Sequence, residues 1–563
     1  MRSNTSAPFA TVSTPKNTQF AWQFHVFLGA IALLALGLRL WGIGWGLPYA
    51  DQYHDEQTVA RVILGMIGRR DWNPRFFEYP SLYLYALRLV FDVHWHFGLA
   101  NGLYTPTTHL PRRWEPYVTL TGFYIWGRVL TAVVGVATVA LLAHIGRRWW
   151  NARIGLAAAL ALAVLPFHIR LSQTLRVDVA GAFMTLLGLA TALRLIERGD
   201  WGSYALAGFV TGLAAATKYN AGAVALAILG AHGIRWSRAS LRQNWRIAWA
   251  GVWCCVGFGV ATPYALLSPA GFWHGIFKQF ADYRGGTHGD WVGRWPVAAY
   301  GWFFGTTGFG PLPILVAVLG IATILRRRDR AGYVLLAFGA PYLLFFLAWP
   351  QHFWRNLLPI VPPLALFAGI GIDVSTAWLA ARLKPLQRRY PTCPGITRGS
   401  GMLTLTAIVI ALPLLGAIQL DWLDARPDPR VQAAAYLQHN LPDHAAVAVE
   451  LDPHQWIGYS QIIPMPALTD HNADWYRARG IRYLVASSAQ RTPEKQQLYD
   501  RLRTQATLLQ IFDNQPRPLR WNIAWMLVSS LAGSQTGVWV EVLDLGPLPT
   551  TWTTPKEANP HVI

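Results

Sequence analysis

The sequence predicts a polytopic α-helical membrane protein that carries a small α/β domain at its C-terminal end. The chain of 563 residues is 53% hydrophobic and only 13% charged, with a mean hydropathy of +0.26. A soluble protein of this size needs far more charge to cover its surface. Its 28 Trp and 21 Tyr residues suit the membrane–water boundaries, where amphipathic rings gather. The net charge of +20 lies in short clusters between apolar runs, which favours lipid headgroups over nucleic acid as the partner.

Apolar segments long enough to span a membrane recur along the first three quarters of the chain. A hydrocarbon core of about 30 Å needs roughly 20 such residues per helix. We expect about eleven spans, within a range of ten to thirteen, and the short aromatic stretch 297–310 is either interfacial or a further half-span. The predicted spans are 25–45, 121–143, 153–169, 177–196, 203–217, 220–236, 246–266, 311–326, 332–349, 357–380 and 401–421.

The distribution of Arg and Lys predicts the orientation in the cell membrane. If the N-terminal tail 1–24 is cytoplasmic, nearly all the positive charge of the short loops lies inside, as the positive-inside rule requires. These inside loops are 147–153, 194–200, 235–246, 326–330 and 381–398. The membrane domain 25–421 then has two long outer loops, 46–120 and 264–310, and residues 422–563 lie outside the cell membrane.

Residues 422–563 differ sharply in composition from the rest. Helical patterns at VQAAAYLQHN, ADWYRARG and EKQQLYDRLRTQ alternate with strand patterns at AAVAVEL, IRYLVASS and TLLQIFD. Such alternation predicts a small α/β domain on the outer surface.

The first outer loop contains two predicted amphipathic helices separated by the segment FFEYP. The Tyr79–Pro80 step disfavours helix at Tyr79, so it divides the two. Both helices are too short to span and suit the membrane interface. Their apolar positions are Val59, Val62, Ile63 and Met66 in the first, and Leu82, Tyr85, Ala86 and Val90 in the second.

Four carboxylates lie in this loop: Asp51, Asp55 and Glu56 follow the first span, and Glu78 lies in FFEYP. A carboxylate at a membrane boundary can act as a base toward a hydroxyl or an amine. Alternatively, Asp55 or Glu56 caps the helix that follows, because acids favour a helix N-terminus. Both interpretations hold if the two residues of the pair have different roles.

The order of these motifs resembles the GT-C superfamily of membrane glycosyltransferases. The resemblance is greatest to the branch that contains protein O-mannosyltransferases and the aminoarabinose transferase of lipid A. It covers roughly residues 25–380. Besides the first outer loop, it rests on SQTLRVDVAGAFMTLLGLATAL (172–193), GLAAATKYNAG (212–222) and HFWRNLLPIVPPLALFAG (352–369).

The resemblance implies a polyprenyl-phosphate sugar as the donor and roles for the acidic residues. Asp55 matches the residue that acts on the acceptor as base or orienting group, and Glu56 matches its partner. Glu78 matches a Glu that, in the lipid A branch, helps to hold a divalent metal ion together with a His of a later outer loop. His288 is the natural counterpart and His274 a weaker one, although His288 can equally be an ordinary loop histidine. One Glu and one His would leave the other ligand positions to water or lipid phosphate.

Cationic side chains on the predicted outer side are the candidates to bind the donor phosphate. They are Arg176, Lys218, Arg284 and Arg355. Guanidinium and ammonium groups bind phosphate well, although such side chains also extend toward lipid headgroups. Asp178 begins a span and so needs a partner, either Arg176 or a sugar hydroxyl. Tyr219, next to Lys218, completes the predicted substrate-binding residues.

These residues predict an inverting glycosyl transfer on the outer face. The acceptor, a lipid, glycan or protein, attacks the anomeric carbon, and the lipid phosphate leaves without help from a second carboxylic acid. The alternatives are a lipid or polysaccharide transporter, an oligosaccharide ligase or polymerase, and a non-catalytic scaffold whose tail binds a partner. A transporter would have ionisable residues near the middle of several spans.

Overall fold

The computed structural model describes residues 18–49, 54–104, 121–236, 245–285, 290, 295–389, 397–442, 445–450, 461–487, 493–514 and 539–547. This part of the chain is mostly helical. The helices are α1 Thr18–Leu40, α2 His54–Gly68, α3 Leu82–Ala100, α4 Thr121–Trp149, α5 Ala152–Ala163, α6 Pro166–Ser172, α7 Val177–Glu197, α8 Trp201–Thr217, α9 Ala225–Trp236, α10 Trp245–Ala261, α11 Tyr264–Leu267, α12 Pro269–Gly285, α13 Pro296–Phe303, α14 Pro311–Arg327, α15 Arg330–Ala348, α16 Val361–Arg389, α17 Arg398–Asp424, α18 Pro429–Asn440, α19 Ala473–Ala478 and α20 Pro493–Thr504. Short 3-10 helices at Tyr219–Val224, Trp354–Ile360 and Leu468–Asp470 and a π turn at Phe304–Gly308 complete the helical part.

Every apolar segment predicted to span a membrane contains one of these helices. Within the described residues, six helices are long and apolar enough to cross a membrane, or eight if each of two bent pairs is one span. The protein is therefore a multi-pass membrane protein, while the count of about eleven spans stays a prediction. The bent pairs are α5 with α6, at 63°, and the segment Pro296–Gly308 with α14, at 115°. The second bend means that the aromatic stretch 297–310 does not extend α14.

Glycines allow the helices to pack closely. A Cβ atom on Gly320 of α14 would lie 1.9 Å from the backbone oxygen of Phe367, and one on Gly371 of α16 would lie 1.9 Å from that of Val316. Lipid tails are as apolar as the side chains, so helices in a membrane associate through such close backbone contacts rather than through the hydrophobic effect.

The two helices of the first outer loop form where the pattern predicts them, but their apolar faces are covered by protein. Val59 and Ile63 of α2 are fully buried and pack against α3, α4 and the start of α7. The position of these helices at the membrane interface stays a prediction, but the apolar face of α2 is covered by protein. The spacing of apolar residues predicts that a helix has an apolar face, but it does not predict whether protein or lipid covers that face. In α3 the predicted face is only half-buried, because the helix is apolar on most sides, and the fully buried stripe is Tyr83, Leu84, Leu87 and Phe91.

The C-terminal part contains a five-stranded mixed sheet with helices on both faces. Helix α18 covers one face, and α19 and α20 cover the other. Its strands are β1 Val447–Val449, β2 Ile462–Pro464, β3 Tyr483–Ser487, β4 Thr507–Phe512 and β5 Val540–Asp544, in the order β2-β1-β3-β5-β4. β1 is parallel to β2 and β3, whereas β5 is antiparallel to β3 and β4. The predicted helices and strands of this part are present, and β2 and β5 are additional.

Two buried arginines join this C-terminal part to the membrane helices. Arg430 of α18 donates to both carboxylate oxygens of Asp428, at 2.8 and 2.9 Å, and its guanidinium lies over the ring of Tyr49, in the segment that follows α1. At the end of α17, Asp424 pairs with Arg170 of α6. The sheet is thus attached close to the point where the first outer loop begins.

Candidate active site

Asp55 lies in a cluster of charges that three distant segments bring together. It is the second residue of α2, and its Oδ2 atom lies 2.9 Å from Nη2 of Arg176 and 3.3 Å from Nη2 of Arg355. Arg176 is the N-cap residue of α7, and Arg355 belongs to the 3-10 helix Trp354–Ile360. The Asp55 side chain is 28% exposed, so the carboxylate is both held by its partners and accessible.

Asp178 continues the cluster into the helical bundle. Its side chain is only 3% exposed, and its carboxylate lies 3.1 Å from Nε of Arg176 and accepts a hydrogen bond of 2.6 Å from Lys218 Nζ. The predicted ion pair between Arg176 and Asp178 is therefore present. It satisfies an acid that would otherwise be costly within a bundle of membrane helices.

Asn356 is a member of the cluster that the sequence argument missed. Its Oδ1 accepts a hydrogen bond of 3.0 Å from Lys218, and its Nδ2 donates one of 3.0 Å to the Tyr283 hydroxyl of α12. A neutral amide gives no charge signal in a sequence, although Asn356 directly follows Arg355 in the HFWRN motif.

The cluster lines part of a cavity of about 1130 Å³. The cluster brings three cations, Arg176, Lys218 and Arg355, together with Asp55 and Asp178. Two further carboxylates, Glu78 and Asp282, also line the cavity. The cavity also has an apolar region, where the rings of Phe280, Phe345, Phe346 and Trp349 contact one another. Two further rings of the lining, Tyr342 and Phe353, lie against Asn356 and Arg355 of the charged cluster. The cavity therefore suits a ligand with an anionic group at one end and an apolar part at the other.

Tyr79 lies on the cavity wall beside Asp55. Burial raises the pKa of its phenol well above the usual range, and the negative charge of Asp55 raises the pKa further. Tyr79 therefore stays protonated over the whole physiological pH range and presents a neutral hydroxyl to the cavity.

Glu56 faces away from the cavity. It is 1% exposed and forms a two-point ion pair with Arg128 of α4, with distances of 2.9 Å from Nε and 2.8 Å from Nη2. It also accepts the backbone N–H of Leu175 at 2.5 Å, and Arg128 donates to the carbonyl oxygens of Ile43 and Trp45. Glu56, which the resemblance matches to the partner of Asp55, therefore does not line the cavity, and the two residues of the pair have different surroundings. Glu56 thus connects three segments of the chain. The backbone N–H that it accepts belongs to Leu175, just before α7, and not to α2, the helix that contains Glu56.

The remaining predicted residues divide between the cavity wall and the surface. Glu78 and Tyr219 line the cavity, and the Tyr219 hydroxyl donates to the Phe77 carbonyl oxygen at 2.8 Å. Arg284 and His274 are exposed on α12, and neither is among the described residues that line the cavity. Asp51 and His288 lie outside the described residues.

Among the described residues, those around Glu78 do not fit the divalent metal ion that the resemblance implies. The Glu78 carboxylate is bonded to the ammonium group of Lys278 in α12. Within the described part of the chain, no group of three or more His, Cys, Asp or Glu side chains could hold a metal ion. The hydrogen bond to Glu78 also raises the pKa of Lys278 above its usual value, so this ammonium stays charged at neutral pH.

The fold and the site define a class: a multi-pass membrane protein with a half-charged, half-apolar cavity at one end of its helices. Within that class, residues 117–268 match the family described as dolichyl-phosphate-mannose-protein mannosyltransferase. The match confirms the resemblance to the GT-C superfamily of membrane glycosyltransferases that the sequence motifs predict.

The chain is also similar to two solved membrane proteins. One is the oligosaccharyltransferase AglB from Archaeoglobus fulgidus, in complex with an inhibitory peptide and a dolichol-phosphate. The identity is 12% and the TM-score 0.46, over 83% of this chain and 69% of AglB. The other is ArnT from Cupriavidus metallidurans bound to undecaprenyl phosphate, at 15% identity and a TM-score of 0.47, over 93% of this chain and 98% of ArnT. No curated protein matches the sequence.

Proposed function

We propose that the protein transfers a sugar from a polyprenyl-phosphate donor to an acceptor hydroxyl or amine on the outer face of the cell membrane, with inversion at the anomeric carbon. The observation that carries this proposal is the position of Asp55, an accessible carboxylate on the wall of a cavity that also contains the cations Lys218 and Arg355. The match of residues 117–268 to a mannosyltransferase family supports the same reaction class.

The two regions of the cavity correspond to the two parts of such a donor. The phosphate binds at the charged region, where Arg355, 21% exposed, is the most accessible of the three cations. The isoprenoid chain lies against the apolar region. Phe280 of α12 and Phe345 of α15 both line the cavity and expose about half of their surface, which supports a lateral path for this chain into the lipid.

The reaction is a single displacement. The acceptor oxygen or nitrogen forms a bond to the anomeric carbon, the bond from that carbon to the phosphate oxygen breaks, and the lipid phosphate leaves with the electron pair. The acceptor proton passes to Asp55. Lys218 and Arg355 stabilise the negative charge of the leaving phosphate, so no acid is needed to protonate it. A single displacement inverts the configuration.

Arg355 connects donor binding to the acceptor side. In the absence of donor it shares the Asp55 carboxylate with Arg176. The Arg355 contact is the longer of the two, at 3.3 Å against 2.9 Å, and its side chain is the more exposed. A phosphate that binds Arg355 therefore competes with Asp55 for this guanidinium and leaves the carboxylate available to the acceptor.

The experiment that tests the function uses the purified full chain, a panel of labelled polyprenyl-phosphate sugars and a membrane extract that supplies lipid, glycan and protein acceptors. Wild-type protein should transfer label from at least one donor. Asp55→Asn should lower transfer by at least about 10²-fold, the usual contribution of a general base, while the protein elutes as a single folded species on size exclusion. Unchanged incorporation by Asp55→Asn would contradict the assignment.

A second measurement tests the donor subsite without turnover. Arg355→Ala should weaken the binding of undecaprenyl phosphate about tenfold, because a charge-assisted hydrogen bond to phosphate contributes roughly 1.5 kcal/mol. Arg284→Ala is the matched control: it removes another predicted phosphate-binding arginine, one that is exposed on α12. Equal losses of affinity in the two variants would show that the cavity is not the phosphate site.

A further inference from the structure

The FFEYP segment and α12 are packed in a fixed register. The ring of Phe77 meets that of Phe272 edge to face, with centroids 6.0 Å apart, and the Phe77 backbone lies against Gly275, where a Cβ atom would come within 2.9 Å of the Phe77 carbonyl carbon. Tyr219 fixes the same segment from the other side through its bond to the Phe77 carbonyl oxygen. These contacts place Glu78 opposite Lys278, one helical turn beyond Gly275.

Lys278 therefore places a positive charge beside Glu78, the carboxylate for which the resemblance implies a metal ion. A divalent ion at Glu78 would have to displace this ammonium and find further oxygen or nitrogen ligands, since one carboxylate alone does not hold such an ion. Lys278 is not among the described residues that line the cavity, whereas Glu78 is. The ammonium thus neutralises the charge of Glu78 from the side of α12, where Asp282 is a further carboxylate of the cavity wall.

We propose that Lys278 takes the place of the divalent metal ion beside Glu78, so that sugar transfer by this protein does not depend on a metal. The inference rests on the proposed function for its effect on transfer. Its claim about the metal stands on the Glu78–Lys278 contact alone. Lys278 is in this view a positioning residue: it acts on the donor through Glu78 and does not touch the reacting atoms.

The first test is the metal content of the purified full chain, measured by mass spectrometry without added chelator, together with calorimetric titration of Zn²⁺ and Mn²⁺. The wild-type chain should contain much less than one metal ion per molecule and bind neither ion in the titration. Transfer should be unchanged after thorough chelation. A stoichiometric metal ion, or activity that chelation removes and added metal restores, would overturn the proposal.

The second test uses three variants to distinguish an effect of the Lys278 charge on donor binding from a purely structural effect of the Glu78–Lys278 contact. Lys278→Met leaves Glu78 uncompensated and should raise the KM for the donor about three- to fivefold, the usual size of a partly exposed charge interaction, with little change in kcat. The double variant Glu78→Gln/Lys278→Met removes both charges of the pair, restores the net charge of the wild-type wall and should return the KM close to the wild-type value. Lys384→Met, at an exposed lysine of α16 that is not among the described residues lining the cavity, should leave both constants unchanged.

Failure of the inference about Lys278 can be distinguished from failure of the proposed function. If no donor in the panel is used, the proposed function is rejected, whereas a metal ion in the purified chain rejects the role of Lys278 whatever the donor results are. A KM that stays raised in the double variant would also reject the charge argument, because a merely structural contact is not restored when both of its members are replaced.

Discussion

Adjacent residues of one motif have opposite surroundings in this protein. Successive positions on a helix point about 100° apart, so Asp55 faces the cavity and two guanidinium groups while Glu56 faces the core and Arg128. The sequence could predict that a carboxylate pair follows the first span, and that Arg176, Lys218 and Arg355 are unusual cations. It could not predict which acid is accessible, because that depends on where α4 and α7 pack. Lys278 was missed for the same reason: its partner Glu78 lies 200 positions away in the chain.

The Glu56–Arg128 pair should contribute to stability rather than to substrate contact. Both side chains are 1% exposed, so Glu56→Ala leaves a buried guanidinium without its carboxylate and should cost about 3–5 kcal/mol. Thermal unfolding in detergent checks this as a large drop in the midpoint. Glu197→Ala is the control, because it breaks a pair with Arg148 in which both side chains are well exposed, and it should cost about 1 kcal/mol or less. Equal shifts in the two variants would contradict the bracing role of Glu56.

At the scale of secondary-structure elements, the sequence pattern predicted the positions of the helices along the chain, but it did not predict which residues they contact. Helices α2 and α3 and the six predicted elements of the C-terminal part form where the sequence patterns predict them. Helix α12 was treated as part of an outer loop, because charged residues such as Lys278 and Arg284 interrupt its apolar pattern. Strand β2 has only three residues, too few for a period to show. The position of α12 over the FFEYP segment is a tertiary contact that no local pattern contains.

The packing of α12 on the FFEYP segment should be sensitive to one methyl group. In Gly275→Ala the new Cβ would lie 2.8 Å from Cβ and 2.9 Å from the carbonyl carbon of Phe77, so α12 must shift and the Glu78–Lys278 contact must change. Overpacking of this kind costs about 1–3 kcal/mol. We expect a lower unfolding midpoint and slower transfer. Gly251→Ala on α10, where no atom lies within 4 Å of the new Cβ, should change neither. If the two variants behave alike, α12 is not held at this contact.

At the scale of the whole molecule, several buried charges lie at helix ends, although Arg128 lies within α4. Arg39 is the last residue but one of α1, Asp178 is the second residue of α7, and Asp424 is the last residue of α17. This placement favours a reaction at a membrane boundary over the mid-span sites that a transporter would need. Arg430 and Asp424 tie the C-terminal sheet to the same end. The convergence of these distant residues could not be predicted from the sequence, because each of them depends on the packing of several helices.

The predicted orientation of the protein can be tested at the two ends of one helix. Helix α15 has 19 residues, or about 28 Å at 1.5 Å per residue, and separates the arginine cluster of loop 326–330 from Trp349 on the cavity wall. If the positive-inside rule holds, this cluster is cytoplasmic and the cavity is on the outer side. In a chain without its three cysteines, Asp474→Cys in α19, at a side chain 86% exposed, should react with a membrane-impermeant maleimide from outside the membrane. Arg327→Cys should react only after permeabilisation. The reverse pattern would put the cavity on the cytoplasmic side, where the proposed outer-face transfer could not take place.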